Sequence, residues 1–443
     1  MLPAAWFSAG WTTRWWGKGA PWLPGSRLGR WRDEVAASWV ALLLLALPFL
    51  TNDQIGLLLL AGVALWLGLL LLEPPPAVWV TPLLYWGALT LATAFSPVKM
   101  AALTGWVKAS LYLAALGALV RGVRRWGRWL MTWYLLVALL VASVGLRQWF
   151  FGAEALATWI DPESPLAGTT RVYSYLKNPN VLAAYLLPAV GMSWGCLLAW
   201  RTWAQKLLAA TLVVVCTSCV VLTGSRGGWL ALVATYASFG GMVGWGWWHW
   251  SGNRPLWQRL LLGLGLGLLL VGVLALLGRS ERLRLRFLSI FAGRADSSNN
   301  FRINVWAAVV AMIRDHPWLG IGPGNRAFNL IYPLYQRPNF HALGAYSVPL
   351  EVAVEAGLLG LTAFLALTGA ILRRSWQNLN DFVRQPCPPT FVLMGIVAGM
   401  VGTMTHGLVD TLWFRPQVQI LWWFSVALVF CTYNRDYDSR SSP

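Results

Sequence analysis

The stretch "ALLLLALPFLTNDQIGLLLLAGVALWLGLLLL", Ala41–Leu72, consists of two apolar runs separated by the short polar turn "TNDQ". Each run belongs to an apolar segment of the length that an α-helix needs to cross the hydrocarbon core of a bilayer, about 17–25 residues. The whole chain follows this pattern, since 57% of its 443 residues are hydrophobic and only 11% are charged. A soluble domain of this length would need far more charged surface. The sequence therefore predicts an all-α, polytopic integral membrane protein.

Twelve apolar segments of spanning length can be assigned along the chain, and Trp and Arg at their ends are typical of membrane interfaces. The predicted spans lie at about 35–51, 54–73, 77–95, 101–121, 129–147, 179–200, 205–223, 229–248, 260–278, 347–372, 389–411 and 416–433. Two of the links between them are long, namely residues 148–178 and residues 279–346. We expect the second link to be a large loop that contains short helices between spans nine and ten.

Positive charge in the short links predicts the orientation of the chain. The four arginines of "RGVRRWGRW", Arg121–Trp129, follow span four, and the other basic short links also follow even-numbered spans. Because the N-terminal tail is basic too, the positive-inside rule places both termini in the cytoplasm and both long loops in the periplasm, beyond the inner membrane. Topology thus explains much of the net charge of +18, and we expect no nucleic-acid partner. The predicted segments are a tail (1–34), spans one to nine (35–278), the periplasmic loop (279–346), spans ten to twelve (347–433) and a second tail (434–443).

The loop 279–346 is rich in one kind of basic residue. It contains nine Arg and no Lys, against three acidic residues. Arg stays ionised and presents a planar fork that matches phosphate oxygens, so this composition suits a lipid headgroup that carries a phosphate or diphosphate. For any single Arg, attachment to the anionic surface of membrane lipid is an equally good explanation.

A helix followed by a glycine-rich turn is predicted within this loop. The segment "RINVWAAVVAMIRD" predicts an amphipathic helix from Arg302 to about Asp315, which Pro317 ends. Gly320, Gly322 and Gly324 come next, and their backbone N–H groups could form a nest that holds an anion. A plain turn would need the same glycines.

Several further ionisable residues lie at predicted ends of spans. Arg226, in "LTGSRGGWL", is flanked by small residues that leave it accessible, although an arginine at a membrane boundary can also simply reach towards water. Asp410 follows His406 by about one helical turn. Glu351 and Glu355 form an i, i+4 pair at the start of span ten, and we expect the arginines to be their partners because unpaired carboxylates are costly in lipid.

Metal binding is not indicated by the cysteines. Cys216 and Cys219 have the spacing of a ligand pair, but they lie inside an apolar span and no further ligands accompany them. Helix packing is the better explanation. We therefore expect neither a metal ion nor a cofactor.

Five segments in order, "NPNVLAAYLLPAV", "LTGSRGGWLAL", "RINVWAAVVAMIRDHPWLGIGPGN", "LEVAVEAGLLGL" and "HGLVD", together resemble the O-antigen ligase and polymerase superfamily over about residues 170–425. Two longer segments, "LGAYSVPLEVAVEAG" and "HGLVDTLWFRPQVQILWW", are similar to a cyanobacterial branch whose members are named as bicarbonate transporters. The predicted plan of twelve spans with one large loop before span ten is similar too.

The resemblance to the ligases implies a metal-independent transfer of a glycan from a polyprenyl-diphosphate carrier to an acceptor sugar, with membrane lipid as the surroundings. It further implies that Arg226 and Arg302 bind the diphosphate. The ligases have a histidine in the register that Tyr346 occupies here, and His341 lies five residues upstream. Either His341 reaches the site, or Tyr346 acts by hydrogen bonding, or the chemistry is lost, since a phenol with a pKa near 10 is a poor general base.

The segment Gly320–Gly357 is expected to fold over a polar cavity. In that arrangement Arg326, Arg337, His341 and Tyr346 border the substrate, and the chain then enters span ten through its two glutamates. Two other functions remain open at this stage. One is bicarbonate transport, for which broken helices and ionisable groups deep within spans would be typical. The other is an inactive scaffold for envelope enzymes.

Overall fold

The computed structural model describes residues 27–70, 80–154, 171–250, 278–279, 281–383 and 388–431. Within these ranges the chain is helical, with turns and short 3₁₀ segments but no β-strand. The predicted all-α class is therefore confirmed for the part of the chain that is described. Most of both predicted tails and nearly all of predicted span nine, 260–278, lie outside the described residues.

Thirteen α-helices occur in the described ranges. Their bounds are α1 Arg27–Ala46, α2 Asn52–Leu70, α3 Val80–Ala94, α4 Lys99–Phe151, α5 Pro179–Ala199, α6 Trp203–Leu222, α7 Arg226–Trp250, α8 Glu281–Leu288, α9 Ser297–Asp315, α10 Asn325–Ile331, α11 Val348–Val383, α12 Pro388–Gly407 and α13 Pro416–Cys431. By length and composition, five of these contain segments able to cross a membrane: Lys99–Phe151, Pro179–Ala199, Trp203–Leu222, Val348–Asn380 and Pro389–Gly407. Shorter apolar helices are Asn52–Leu67, Val80–Ala94 and Pro416–Cys431.

Helix α4 differs from the prediction, because it covers predicted spans four and five together with the basic link between them. Its 53 residues correspond to about 80 Å of helix, more than twice what one crossing requires. The expected turn at 122–128 is helical instead. The two parts of α4 contact different neighbours: Trp106 donates its indole N–H to Thr90 Oγ1 of α3 at 2.8 Å, whereas Trp133 donates to the carbonyl of Ala41 in α1 at 3.0 Å.

The centre of the structure is the contact between α5 and α12, which small residues make possible. A Cβ added to Gly191 would lie 2.4 Å from the carbonyl oxygen of Gly395, and one added to Gly195 would lie 2.5 Å from that of Phe391. Only glycine permits such close approach of two backbones, and in membrane proteins this close packing contributes to helix association. The adjoining α7 brings Arg226 to one end of this pair of helices.

Helix α11 is broken at Gly357, whose φ of 64° and ψ of −165° are not helical. The loop before α11 compensates for the backbone hydrogen bonds lost there. Leu358 donates its N–H to Pro317 O at 2.8 Å, and the carbonyl of Val354 accepts the N–H of Ile321 at 2.9 Å. A break at membrane depth is tolerated where other protein segments satisfy the freed groups in this way. Predicted span ten is therefore two helical pieces held together by the preceding loop.

Residues 297–346 have a small apolar core of their own. Buried side chains of α9 and α10, including Val305, Met312 and Phe328, pack together with Tyr332, and the rings of Phe328 and Tyr332 stack at 5.0 Å between centroids. Helix α9 confirms the helix predicted from Arg302, although it begins earlier, where Asp296 caps it by accepting the N–H of Asn299 at 2.9 Å. The loop is thus a folded layer that fixes the direction of its side chains.

Candidate anion-binding site

Four arginines from separate parts of the chain form one group, here called the arginine cluster: Arg171, Arg226, Arg286 and Arg302. Burial lowers the pKa of Arg171 well below its usual range, and the charge of Arg286 lowers it further. Burial also lowers the pKa of Arg286 to about 10, helped by the positive charges of Arg226 and Arg302. Such mutual effects require the guanidinium groups to be near one another. Guanidinium groups as a class keep their positive charge in proteins.

The turn after α6 orients two of these side chains. Arg171 Nε donates to Thr223 O at 2.8 Å, and Arg286 Nε donates to Gly224 O at 2.7 Å. These carbonyls lie at the C-terminal end of α6, where the helix dipole favours cations. Gly224 has a φ of +59°, so its left-handed conformation shapes the turn. Asn180 also fixes Arg171, because its Oδ1 accepts from Nη2 at 2.8 Å.

Arg226, the first residue of α7, makes the strongest ion pair of the site. Its Nη1 lies 2.7 Å from Asp296 Oδ1, and the two side chains are only 9% and 18% exposed. The same nitrogen donates to Ser289 Oγ at 3.0 Å. Arg226 is therefore attached to the segment between α8 and α9, and it does not extend freely towards a membrane surface.

Arg302 is held more loosely. Its Nη1 donates to Ser298 Oγ at 3.0 Å, while its Nη2 is 3.8 Å from Asp410 Oδ2, an ion-pair distance too long for a hydrogen bond. Its Nε is buried and has no hydrogen-bond partner among the described residues. A buried donor without a partner is costly, so this side chain has capacity for a ligand.

The cluster has more positive charge than the carboxylates beside it can neutralise. Asp296 and Asp410 are the two acidic side chains whose contacts with these arginines the structure gives. Four guanidinium groups and two carboxylates leave an excess of two positive charges. Buried charge needs a counter-charge, so the arrangement suits an anion with two negative charges.

His406 adjoins Asp410 and was not predicted as a site residue. Its Nε2 lies 3.9 Å from Asp410 Oδ2 and 3.4 Å from Ser225 Oγ, and the side chain is fully buried. Both neighbours contact the same nitrogen. The arrangement therefore lacks the geometry of a Ser-His-Asp triad, in which the histidine uses both nitrogens.

Tyr346 lies in the same region. Its N–H donates to Thr411 Oγ1 at 2.9 Å, its ring meets that of Phe301 edge-on at 5.4 Å, and its φ of 50° is unusual for a tyrosine. Burial, followed by the negative charge of Asp410, raises the pKa of the phenol. At neutral pH Tyr346 is thus a hydrogen-bond donor and not a base.

The remaining predicted loop residues lie at the surface. His341 is exposed, with its Nδ1 3.2 Å from Gln336 Oε1. Arg337 donates to Asn304 Oδ1 at 2.9 Å, and Arg326 is exposed near the start of α10. Hydrogen bonds thus direct His341 and Arg337 towards neighbours within the loop.

The two glutamates of α11 behave differently from the prediction that arginines pair with them. Glu355 Oε1 accepts the N–H of Gly324 at 2.7 Å, so its partner is the glycine-rich turn. The glycine-rich turn thus binds a carboxylate, but this carboxylate is that of Glu355 in the same chain. Both oxygens of Glu351 are buried and have no hydrogen-bond partner among the described residues. The prediction that an arginine pairs with Glu355 is wrong, because this carboxylate accepts a hydrogen bond from the backbone N–H of Gly324 instead.

The fold and the site together define a helical membrane protein with a partly buried arginine cluster. Residues 184–365 match the family model described as O-antigen ligase. This stretch includes Arg226, Arg286 and Arg302 but neither Arg171 nor Asp410. The chain is also 25% identical over 197 residues to an O-antigen ligase of Salmonella typhimurium strain LT2. That alignment covers 43% of this chain and 45% of the relative, so the chain spans about half the length of the curated relative.

Proposed function

We propose that the protein binds a polyprenyl-diphosphate-linked glycan at the arginine cluster and transfers the glycan to an acceptor sugar. The observation that carries this proposal is the excess of two positive charges in a partly buried group of arginines. A diphosphate that joins a lipid to a sugar has one negative charge on each phosphorus, which balances the excess. The partial match to O-antigen ligases supports the same substrate class.

The proposed setting is the inner membrane, with both termini in the cytoplasm and residues 279–346 in the periplasm. The distribution of basic residues among the short links supports this orientation. The segment bounds given above remain part of the proposal, except that the single helix α4 replaces predicted spans four and five and the link between them. In this orientation, the donor lipid meets the arginine cluster at the periplasmic face.

In the proposed reaction, the arginines, Asp410 and Tyr346 have different roles. The arginines stabilise the negative charge that develops on the leaving diphosphate when the bond between sugar C1 and the phosphate oxygen breaks. As the acceptor oxygen bonds to C1, its proton passes to Asp410. Asp410 Oδ2 is positioned to accept it, because Arg302 Nη2 and His406 Nε2 lie 3.8 and 3.9 Å away, too far to form hydrogen bonds that would occupy this oxygen. Tyr346 would donate a hydrogen bond to the substrate.

The direct test is binding of a polyprenyl diphosphate to detergent-purified protein. Arg226→Ala and Arg302→Ala should each weaken binding about 10- to 100-fold, because a hydrogen bond to a charged group contributes about 1.5–3 kcal/mol. Arg314→Ala is the matched control, since Arg314 is exposed on the same helix as Arg302. The proposal would be refuted if Arg226→Ala and Arg302→Ala left binding unchanged, or if Arg314→Ala weakened binding as much as they do.

Bicarbonate transport is a second candidate, and the break in α11 favours it. Secondary transporters place ion sites at interrupted helices, and here two buried carboxyl groups, Glu351 and Glu355, precede the interruption at Gly357. Purified protein in sealed liposomes should then move labelled bicarbonate down its gradient, and Glu355→Gln should abolish the flux. No flux above that of empty vesicles would remove this candidate.

A further inference from the structure

The segment between α9 and α10 is attached to a helix long enough to cross a membrane. Pro317 O accepts the N–H of Leu358 at 2.8 Å, and the next carbonyl, that of Trp318, accepts the N–H of Leu359 at 3.3 Å. These leucines follow the break in α11, and the piece from there to Asn380 is about 35 Å long, enough for a hydrocarbon core of about 30 Å. Trp318 therefore lies beside the end of a spanning piece, at the depth of a membrane–water interface.

The side chain of Trp318 is uncovered at this depth. It is 71% exposed, and the neighbouring Leu358 and Leu359 are each 42% exposed. Tryptophan is enriched where lipid headgroups meet hydrocarbon, because its ring is apolar and its indole N–H is polar. The position of Trp318 thus indicates contact with lipid.

Helix α10 presents a second uncovered apolar face. Its Phe328 and Ile331 are buried, whereas Leu330 is 59% exposed and Leu334, just after the helix, is 77% exposed. Leu330 and Leu334 are four residues apart and therefore share one side. Arg326, four residues before Leu330, is exposed as well. One side of α10 thus combines two leucines with an arginine.

Two contacts place both ends of α10 close to membrane depth. The phenol of Tyr335 donates to Asp315 Oδ2 at 2.6 Å, which joins the end of α10 to the end of α9, three residues before Trp318. At the other end, a Cβ added to Gly105 would lie 2.8 Å from the Cα of Gly324, the residue before α10. Gly105 is six residues after the first residue of α4, or about 9 Å along the helix, and lies within predicted span four.

We infer that Trp318, Leu330 and Leu334, here called the interfacial surface, insert into the headgroup region of a phospholipid bilayer, where Arg326 binds a lipid phosphate. Apolar exposure, a basic side chain and a position at the end of spanning helices are together typical of segments that lie in a membrane interface. The planar fork of Arg matches phosphate oxygens. The inference does not depend on the proposed function, because none of these residues belongs to the arginine cluster.

The alternative occupant, a second copy of the chain, fits less well. A two-fold contact through the interfacial surface would bring the Arg326 side chains of both copies towards each other, and like charges repel. A phospholipid supplies both parts that the surface needs, since it has a phosphate for the arginine and hydrocarbon for the leucines. Both arguments favour the bilayer.

The test measures how close these side chains come to lipid. Dansylalanine replaces Trp318 or Leu334 in separate variants, and each variant is placed in nanodiscs whose phospholipids carry bromine either near the headgroup or at the far end of the acyl chains. Bromine quenches fluorescence only at short range. Both variants should be quenched several-fold more by bromine near the headgroup. The control is Arg294→dansylalanine, at an exposed position between α8 and α9, and it should be quenched little.

The outcomes decide between the occupants. No quenching at Trp318 and Leu334, or equal quenching at Arg294, overturns the inference. A dimer in detergent that Leu330→Arg/Leu334→Arg separates, with no quenching in nanodiscs, also overturns it and assigns the surface to a second copy. Each dansyl variant changes one exposed side chain, so its melting temperature should stay close to that of the wild type.

The role of Arg326 is tested with charged lipid. Replacement of phosphatidylcholine by the anionic phosphatidylglycerol should increase the quenching at Leu334, because the phosphate attracts the arginine. Arg326→Gln should remove this increase, whereas the control Arg294→Gln should keep it. An increase that survives Arg326→Gln overturns the assignment of Arg326 to a lipid phosphate.

Discussion

Asp296→Asn is expected to tighten the binding of pyrophosphate, in the opposite direction from the loss caused by Arg226→Ala. Asp296 neutralises Arg226 at 2.7 Å and also caps α9. Asparagine caps helices as well as aspartate does, so this substitution removes the charge and keeps the cap. The excess of positive charge in the site then rises from two to three.

The size of this effect follows from the ion pair. A charge-assisted hydrogen bond contributes about 1.5–3 kcal/mol. Arg226 makes such a bond with Asp296, and an anion that binds Arg226 must displace the carboxylate of Asp296. Removing the competing charge should strengthen binding by about 1.4 kcal/mol, which is tenfold. The double variant Arg226→Ala/Asp296→Asn should bind nearly as weakly as Arg226→Ala alone, because Asp296 acts mainly through Arg226.

Isothermal titration calorimetry with pyrophosphate measures all three variants without complications from lipid partitioning. The ionic strength must be constant, since salt screens exposed charges more strongly than buried ones. Weaker binding by Asp296→Asn would refute the reasoning, because it would mean that the carboxylate itself holds the ligand. A melting temperature in detergent close to that of the wild type would show that the cap is intact.

The remaining predictions concern pH, proton transfer and packing. Because the pKa of Arg286 is lowered to about 10, its charge is present at neutral pH and lost as the pH rises through 10. Above about pH 9, pyrophosphate binding should therefore weaken more steeply with pH in the wild type than in Arg286→Ala. Asp410→Asn should abolish glycan transfer while polyprenyl diphosphate still binds. Tyr346→Phe should keep the transfer rate within about tenfold of the wild-type rate, since the phenol supplies one hydrogen bond. Equal losses of transfer in the two variants would refute these roles. Gly357→Ala should destabilise the protein by at least about 2 kcal/mol, because the added Cβ would lie 2.2 Å from the backbone of Trp318 and the residue has a left-handed φ. Gly369→Ala, in the same helix, is the control: its Cβ meets open space and should leave the melting temperature unchanged.

Residue chemistry predicted part of the site. The resemblance to the ligases implied that Arg226 and Arg302 act together, in agreement with the match of Arg to phosphate, and the structure places both beside carboxylates of one cluster. Arg171 had no local pattern to single it out, since Asn180 and the carbonyl of Thr223, which fix it, lie elsewhere in the chain. Arg286 was one of nine arginines in its loop, and only the position of Gly224 distinguishes it.

Local propensity explains where the fold differed from prediction. The basic link in "RGVRRWGRW" has no proline, and Arg is a good helix former, so α4 continues through it. Charge alone therefore does not mark a turn. The break at Gly357 was missed for the opposite reason, because nothing in an apolar run shows that Pro317 and Ile321 will return to satisfy it. Contacts between distant segments decide such features.

The site also imposes an order on biosynthesis. Ser225 and His406 are separated by 181 positions, and Asp410 follows later still. A ribosome releases the chain from its N-terminus, so the arginines emerge while the carboxylate that faces Arg302 has yet to be made. Until Asp410, three residues after the end of α12, has been made, the nascent protein carries an additional uncompensated positive charge at this position. Completion of the anion site is consequently one of the last events in the maturation of the protein.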